Sequence, residues 1–359
     1  MTNDDQNPLI RRVQLGWRGG VRRASPMIAK RISMNTHCTR RNFIQRAALI
    51  PLAVGGIRGA RLSAAVEPVR RVGGSRLKPG LNAYSFSELL SAHGQDASKG
   101  FDLFQVCDFA AKQNCDAVDL TGYFFPGYPN APDDQYVFAL KRRAQTLGLD
   151  ISGTGVRNDF TTADQAVRAE GVRCIKTWVE VASKLGAPVV RAFADSQPPH
   201  HDWHEASGGA SRDAVEAWIA DALREGAEHG RKFGVMVVVQ NHGDFVSTGE
   251  EHLRLLKRVD HEWCGALVDT GKYMTEDPYA DIALMAPYAR NWQIKETIHS
   301  KMDSPRTDMQ KLVNIIRQSG YRGYVPIETL KMGRKDYDPF AEAAKLLAEL
   351  RGAIAATVE

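Results

Sequence analysis

The sequence predicts an α/β fold, and within that class a closed (β/α)8 TIM barrel. Three observations carry the prediction. A short β-rich run, a polar loop and an amphipathic helix recur eight times along the chain. Strands alternating with helices build a parallel sheet, and eight such units in about 280 residues match a closed barrel. The competing doubly wound open sheet would normally carry a glycine-rich turn after its first strand, and "LNAYSFSELL" has none.

The elements follow in order. The first strand is expected at 81–86, and a helix near 101–113 returns the chain to the second, "AVDL" at 117–120. A helix near 134–147 ends at Gly148, and "DISGTG" at 150–155 makes the third strand. The helix near 170–185 stops at Gly186 before "PVVRAF" at 188–193. The helix near 213–233 stops at Gly234 before "VMVVVQ" at 235–240. Helices near 250–259 and 278–285 bracket "ALVD" at 266–269. "WQIK" at 292–295 is followed by a helix near 308–319 with Gly320 behind it, then by "VPIE" at 325–328 and a last helix near 339–351. A glycine just past a helix accepts the left-handed conformation that ends it, so these glycines read as stops.

Barrel sites lie at the carboxyl ends of the strands, and nearly every predicted strand here ends in polar residues. Tyr84 and Ser85 close the first; Arg157, Asn158 and Asp159 follow the third; Arg191 and Asp195 mark the fourth. Gln240, Asn241 and His242 end the fifth, Asp269 with Lys272 the sixth, Gln293, Lys295 and Glu296 the seventh, and Glu328 the eighth. "GALVDTG" and "YVPIETL" each read as a buried strand with one acid at its tip. A lone acid there can simply cap the next helix, but two pointing into one mouth suggest a shared site.

At this point "QNHGDF", "LVDTGKY", "DPYADIALMAPYARNWQIKE" and "GYRGYVPIETL" resemble the sugar phosphate isomerase/epimerase family, the xylose isomerase-like barrels, over about residues 77–352. The resemblance implies one divalent metal, held at the ends of strands five to eight by Glu, Asp, His and Glu. Those positions are Gln240, Asp269, Gln293 and Glu328 here, and Lys272 stands where many relatives carry a substrate-facing histidine. Glutamine can offer a carbonyl oxygen to a hard cation but neither charge nor a proton site. The implied cofactor is therefore one weakly held Mn, Mg or Co ion rather than Zn.

The resemblance also implies proton transfer next to a carbonyl on a sugar or keto-sugar. Glu328 is the expected base, and Lys295 or Lys272 can serve as a second base only if burial lowers its pKa. His242 is a candidate ligand or substrate contact. Arg191, Asn241, Tyr84, Glu296 and Arg157 are candidate substrate-binding residues. With Gln240 in place of a carboxylate, the two-base epimerase scheme is weakened, and single-base isomerisation or elimination survives better. A keto-glycoside lyase or hydratase and a non-catalytic sugar-binding protein are the alternatives. A DNA-repair endonuclease needs a histidine-rich multi-zinc site and a basic face, and this body offers neither.

Two loops are open to two readings each. "PPHHDWHEASGG" carries His200, His201 and His204, spaced for a metal but set in a Pro- and Gly-rich stretch that suits a lid. In "YFFPGYPNAP" the aromatics can stack on a sugar or pack against the rim. Cys107, Cys115, Cys174 and Cys264 form no CxxC pattern and read as buried thiols; Cys38 lies in the leader.

Charge divides the chain. Residues 1–65 hold 12 of the 47 Lys/Arg and two of the 42 Asp/Glu, so this leader carries +10 and the body −5. The acidic body argues against a nucleic-acid partner. Within the leader, "TRRNFIQRAALIPLAVGG" resembles a twin-arginine export signal, with Arg40–Arg41 before Phe43 and a short apolar run. That run is too short for a stable membrane span. The start expected for a compact signal is Met34 or Met27. Partners are then the export machinery and a small sugar, in the periplasm or outside the cell; a homo-oligomer is compatible with the sequence.

Overall fold

The computed structural model describes residues 66–299 and 303–356. The leader with its arginine pair and Cys38 lies outside the described residues. Eight parallel strands close into a barrel in sequential order: β1 (Arg76–Asn82), β2 (Ala117–Asp119), β3 (Asp150–Gly155), β4 (Val189–Phe193), β5 (Met236–Gln240), β6 (Cys264–Asp269), β7 (Ala289–Lys295) and β8 (Arg322–Glu328). The helices between them are α1 (Ser87–Gln95) and α2 (Leu103–Lys112), α3 (Asp134–Thr146), α4 (Gln165–Leu185), the short α5 (Trp203–Ala206), α6 (Arg212–Phe233), α7 (Gly249–Val259), α8 (Pro278–Met285), α9 (Met309–Gln318) and α10 (Pro339–Ala356).

The predicted helix stops hold: Gly148, Gly186, Gly234 and Gly320 all adopt φ between 69° and 89°. Side-chain caps start the helices, for example Asp164 on α4 and a Thr248/Glu251 capping box on α7. Most of the core lies between the strands and the helix ring, where residues such as Trp178, Ile175, Leu223 and Leu255 are fully buried. Inside the barrel Val189, Val238 and Leu267 form a small separate apolar layer.

The first strand differs from expectation. It begins at Arg76, and residues 83–86 form a 3-10 turn instead, capped by Asn82, whose side chain accepts from the Tyr84 amide at 2.8 Å. Lys78 and Pro79 disguise the strand locally. In a closed barrel its pairing with both β2 and β8 decides, and Pro79 still accepts from the Asp116 amide at 2.8 Å. Helices α1 and α5 are not legible in the sequence pattern.

Candidate active site

Side chains two apart on a strand share a face. The residues two beyond the apolar layer of Val189, Val238 and Leu267 are Arg191, Gln240 and Asp269, so the next interior layer toward the mouth is polar. Pairing aligns Asp269 with Gln293 and Lys295 with Glu328. All six groups at this floor are buried; Asp269 is 0% exposed, Glu328 4% and Lys295 5%.

Above them opens a cavity of about 570 Å³, a size suited to a small-molecule ligand. Its lining includes Tyr84, Tyr123, Arg157, Arg191, His242 and Lys272, with Gln240, Gln293, Lys295 and Glu328 at its base. Two glycines clear the way. A Cβ on Gly155 would stand 2.9 Å from the Arg191 guanidinium, and one on Gly271 would stand 2.8 Å from Lys295 Cγ.

The floor is a hydrogen-bonded ion cluster. Lys295 Nζ donates to Glu328 Oε1 and stands 3.4 Å from Asp269 Oδ2. Burial alone would lower the Lys295 pKa, but Asp269 and Glu328 outweigh it and hold the amine above its usual value. The condition for Lys295 as a base is thus not met: it is an ammonium. Burial raises Glu328 above the ordinary carboxylate range, with Lys295 opposing. Burial, with Lys272 and Lys295 after it, pushes His242 well below its usual value, so His242 is a neutral imidazole against the Phe193 ring.

The amide orientations follow from chemistry. A carboxylate only accepts, so Gln240 must turn Nε2 toward Asp269 Oδ2, at 2.8 Å. Its second hydrogen then requires the carbonyl oxygen of Gln293, at 2.7 Å. Gln240 Oε1 is left buried without a partner, on a residue that lines the cavity.

This arrangement does not fit the divalent metal that the sequence resemblance implies. Asp269 Oδ1 accepts from the Gly271 amide at 3.0 Å, and Oδ2 serves Gln240 and Lys295. Gln293 offers its oxygen to Gln240 rather than to a cation. Among the described residues no group of three His, Cys, Asp or Glu side chains is placed to hold a metal. A divalent ion about 4 Å from the ammonium would be repelled by roughly 8 kcal/mol at an effective dielectric near 20.

Other expectations are corrected by geometry. Asn241 points away from the cavity: Nδ2 donates to the Asp269 carbonyl and Oδ1 accepts from the Asp269 amide, both at 2.9 Å, so it splices β5 to β6 instead of meeting substrate. Glu296 follows Lys295 onto the other face, pairs with Arg334 and lines a smaller pocket behind the floor. The histidine loop gathers no chelate. His200 faces Glu205 at 3.5 Å and His204 stacks on Trp203 at 3.6 Å, while only His201 reaches the cavity. With Gln197 and Pro198 beside His201, the loop forms part of the cavity wall. The aromatic loop divides: Tyr123 lines the cavity under the guanidiniums of Arg157 and Arg191, and Phe125 and Tyr128 pack on Trp178. The four described cysteines are buried free thiols.

Asp119 escapes a reading of the sequence, although "AVDL" carries the same signal, an acid at a strand tip, that singles out Asp269 and Glu328. Inside the barrel Asp119 accepts from Asn291 Nδ2 at 3.0 Å, and burial raises its pKa to about 6. Asp195 is more telling. Oδ1 accepts from the Val246 amide at 2.8 Å, Oδ2 is buried without a partner, and burial, with Asp244 adding, raises its pKa to about 7.

An ordinary unfolded aspartate titrates near 4. The unfolded chain therefore loses this proton first as pH rises, and stability falls between about 4 and 7. Asp195→Asn is expected to be more stable than the parent at pH 8, by up to about 4 kcal/mol, and to lose that advantage near pH 4. Thermal unfolding of both proteins across that range checks it; parallel pH curves would refute the assignment.

Comparison with known proteins agrees with this architecture. The family of xylose isomerase-like TIM barrels matches residues 107–351. No curated protein matches the chain. Solved structures similar to it include a 3-keto-D-glucoside 4-epimerase from E. coli, 15% identical with a TM-score of 0.59, covering 77% of this chain and 100% of that one. A D-allulose 3-epimerase from Methylomonas sp. is 17% identical with a TM-score of 0.59, covering 79% and 98%. A D-psicose 3-epimerase from Clostridium cellulolyticum H10 is 16% identical with a TM-score of 0.59, covering 78% and 98%. At these identities the likeness is one of fold. With more than half of its length matched, and with the closed barrel described above, the chain belongs to the xylose isomerase-like TIM barrel family.

Proposed function

We propose that this protein is an exported sugar isomerase that moves a proton next to the carbonyl of a sugar or keto-sugar. The observation that carries the reading is the buried Glu328–Lys295–Asp269 cluster at the floor of a sugar-sized cavity. The similarity to epimerases of keto-sugars supports the substrate class. The twin-arginine pattern supports export, and no helix of the described residues is long and apolar enough to cross a membrane.

In this reading Glu328 accepts the proton from the carbon beside the carbonyl. The released electron pair forms an enediolate, whose oxygen charge lies against the Lys295 ammonium. Glu328 exchanges that proton with solvent and delivers a proton to the neighbouring carbon, while the hydroxyl proton shifts from one enediolate oxygen to the other, which gives the isomeric sugar. Gln240 cannot carry a proton; its free Oε1 accepts a sugar hydroxyl. Arg191, Arg157, Tyr84 and Lys272 hold the remaining oxygens. One base therefore favours an aldose–ketose shift over two-base epimerisation.

Incubating the full chain in deuterated water with aldoses, ketoses and 3-keto-glucosides tests this by proton NMR. Deuterium entering beside the carbonyl, together with a new sugar, is the expected result. Elimination products would favour the lyase instead. Sugar binding without any exchange would favour the non-catalytic binding protein, a reading the amides at Gln240 and Gln293 make specific.

A further inference from the structure

We propose that the Lys295 side chain is the resident cation of this site, standing between Asp269 and Glu328 where relatives are implied to hold a divalent metal. The proposal deepens the isomerase reading, since the cation would meet the enediolate oxygen. Its binding half stands without that reading.

Four independent features are matched to the lysine. The first is contact: Nζ donates to Glu328 Oε1 and lies 3.4 Å from Asp269 Oδ2, so one side chain spans both acids. The second is room: only a residue without Cβ at 271 leaves space for the Lys295 stem, 2.8 Å away. The third is anchoring. The Lys295 amide donates to Thr270 Oγ1 at 2.9 Å and its carbonyl accepts from Thr307 Oγ1 at 2.7 Å, which fixes the backbone from two sides. The fourth is the donor set. Gln240 presents hydrogens, not lone pairs, to Asp269 and Gln293, so two of the four implied ligands are spent on each other.

Charge is consistent with this exchange. Two carboxylates and one ammonium leave −1 at the floor, close to what a divalent ion leaves among a Glu, Asp, His, Glu set. Replacing a carboxylate and a histidine by two glutamines removes one negative charge, and the lysine takes over as the counterion. The amides at 240 and 293 and the lysine at 295 are therefore matched to one another in charge and in hydrogen bonding.

The test is direct titration of the full chain, produced without a His tag, with Mn²⁺ by calorimetry, alongside elemental analysis. The parent is expected to take up no Mn²⁺ and to keep its thermal midpoint in EDTA. The triple variant Gln240→Glu, Gln293→His, Lys295→Met is expected to gain saturable, stoichiometric Mn²⁺ binding. Stoichiometric binding by the parent, lost in Asp269→Ala, would overturn the proposal. So would a folded triple variant that stays as metal-free as the parent. If the triple variant does not fold, the parent titration decides alone. None of these readouts uses turnover, so a failed sugar screen would count against the proposed function and leave this inference standing.

Discussion

Lys295→Met should lower the stability of the barrel by about 3–5 kcal/mol, the usual effect of stripping one partner from a buried ion cluster. Methionine preserves the volume and apolar stem of lysine, so little of the loss comes from packing. What remains is two carboxylates, both nearly inaccessible to solvent, without their shared counterion. Adding Asp269→Asn to Lys295→Met should recover part of the loss, because one of the stranded charges is removed. Chemical denaturation of the three proteins at pH 7 measures this. If Lys295→Met stays within about 0.5 kcal/mol of the parent, the scale of an ordinary surface substitution, the cluster is not the buried ion network described here.

Glu328→Gln should reduce solvent-proton exchange into the sugar by about 10²- to 10⁴-fold, the range typical of losing a positioned general base. The amide keeps the shape and an oxygen for Lys295, and Lys295 retains Asp269 as a partner at 3.4 Å. Sugar affinity should therefore change by only a few-fold. This separates the variant from Lys295→Met, which should weaken both folding and turnover. Exchange rates and calorimetric affinities measured on one sugar make the comparison. A Glu328→Gln protein with near-parental exchange would remove Glu328 from the proton path.

Much of this site is legible in the sequence, for identifiable reasons. The acids at the tips of "GALVDTG" and "YVPIETL", the Gln240 and Gln293 amides and Lys295 all sit at strand ends, and strand ends are set by local runs of apolar residues. Arg191 is readable from "VVRAF" on the same ground. Asn241 and Glu296 are harder. Each lies one residue past an inward-facing neighbour, and a one-residue step along a strand turns a side chain to the opposite face. The spacing of His201 and His204 suggests a chelate, yet stacking on Trp203 takes His204 out of reach.

The sequence by itself determined the eight strand–helix units, the glycines that stop the helices and the identity of the polar groups at the mouth. These follow from short-range periodicity and from the backbone freedom of single residues. Only the tertiary structure decided which groups pair. Lys295 meets Asp269 and Glu328 because β7 lies between β6 and β8 in a closed barrel, with a register that aligns residue 295 with 328 and 269 with 293. Partners separated by 33 residues in one case and 53 in another leave no local trace. The turn of the Gln240 amide, the room left by Gly271 and the ammonium state of a buried lysine all depend on those distant neighbours. Electrostatics in a low-dielectric interior is decided by which charges are brought within a few ångströms.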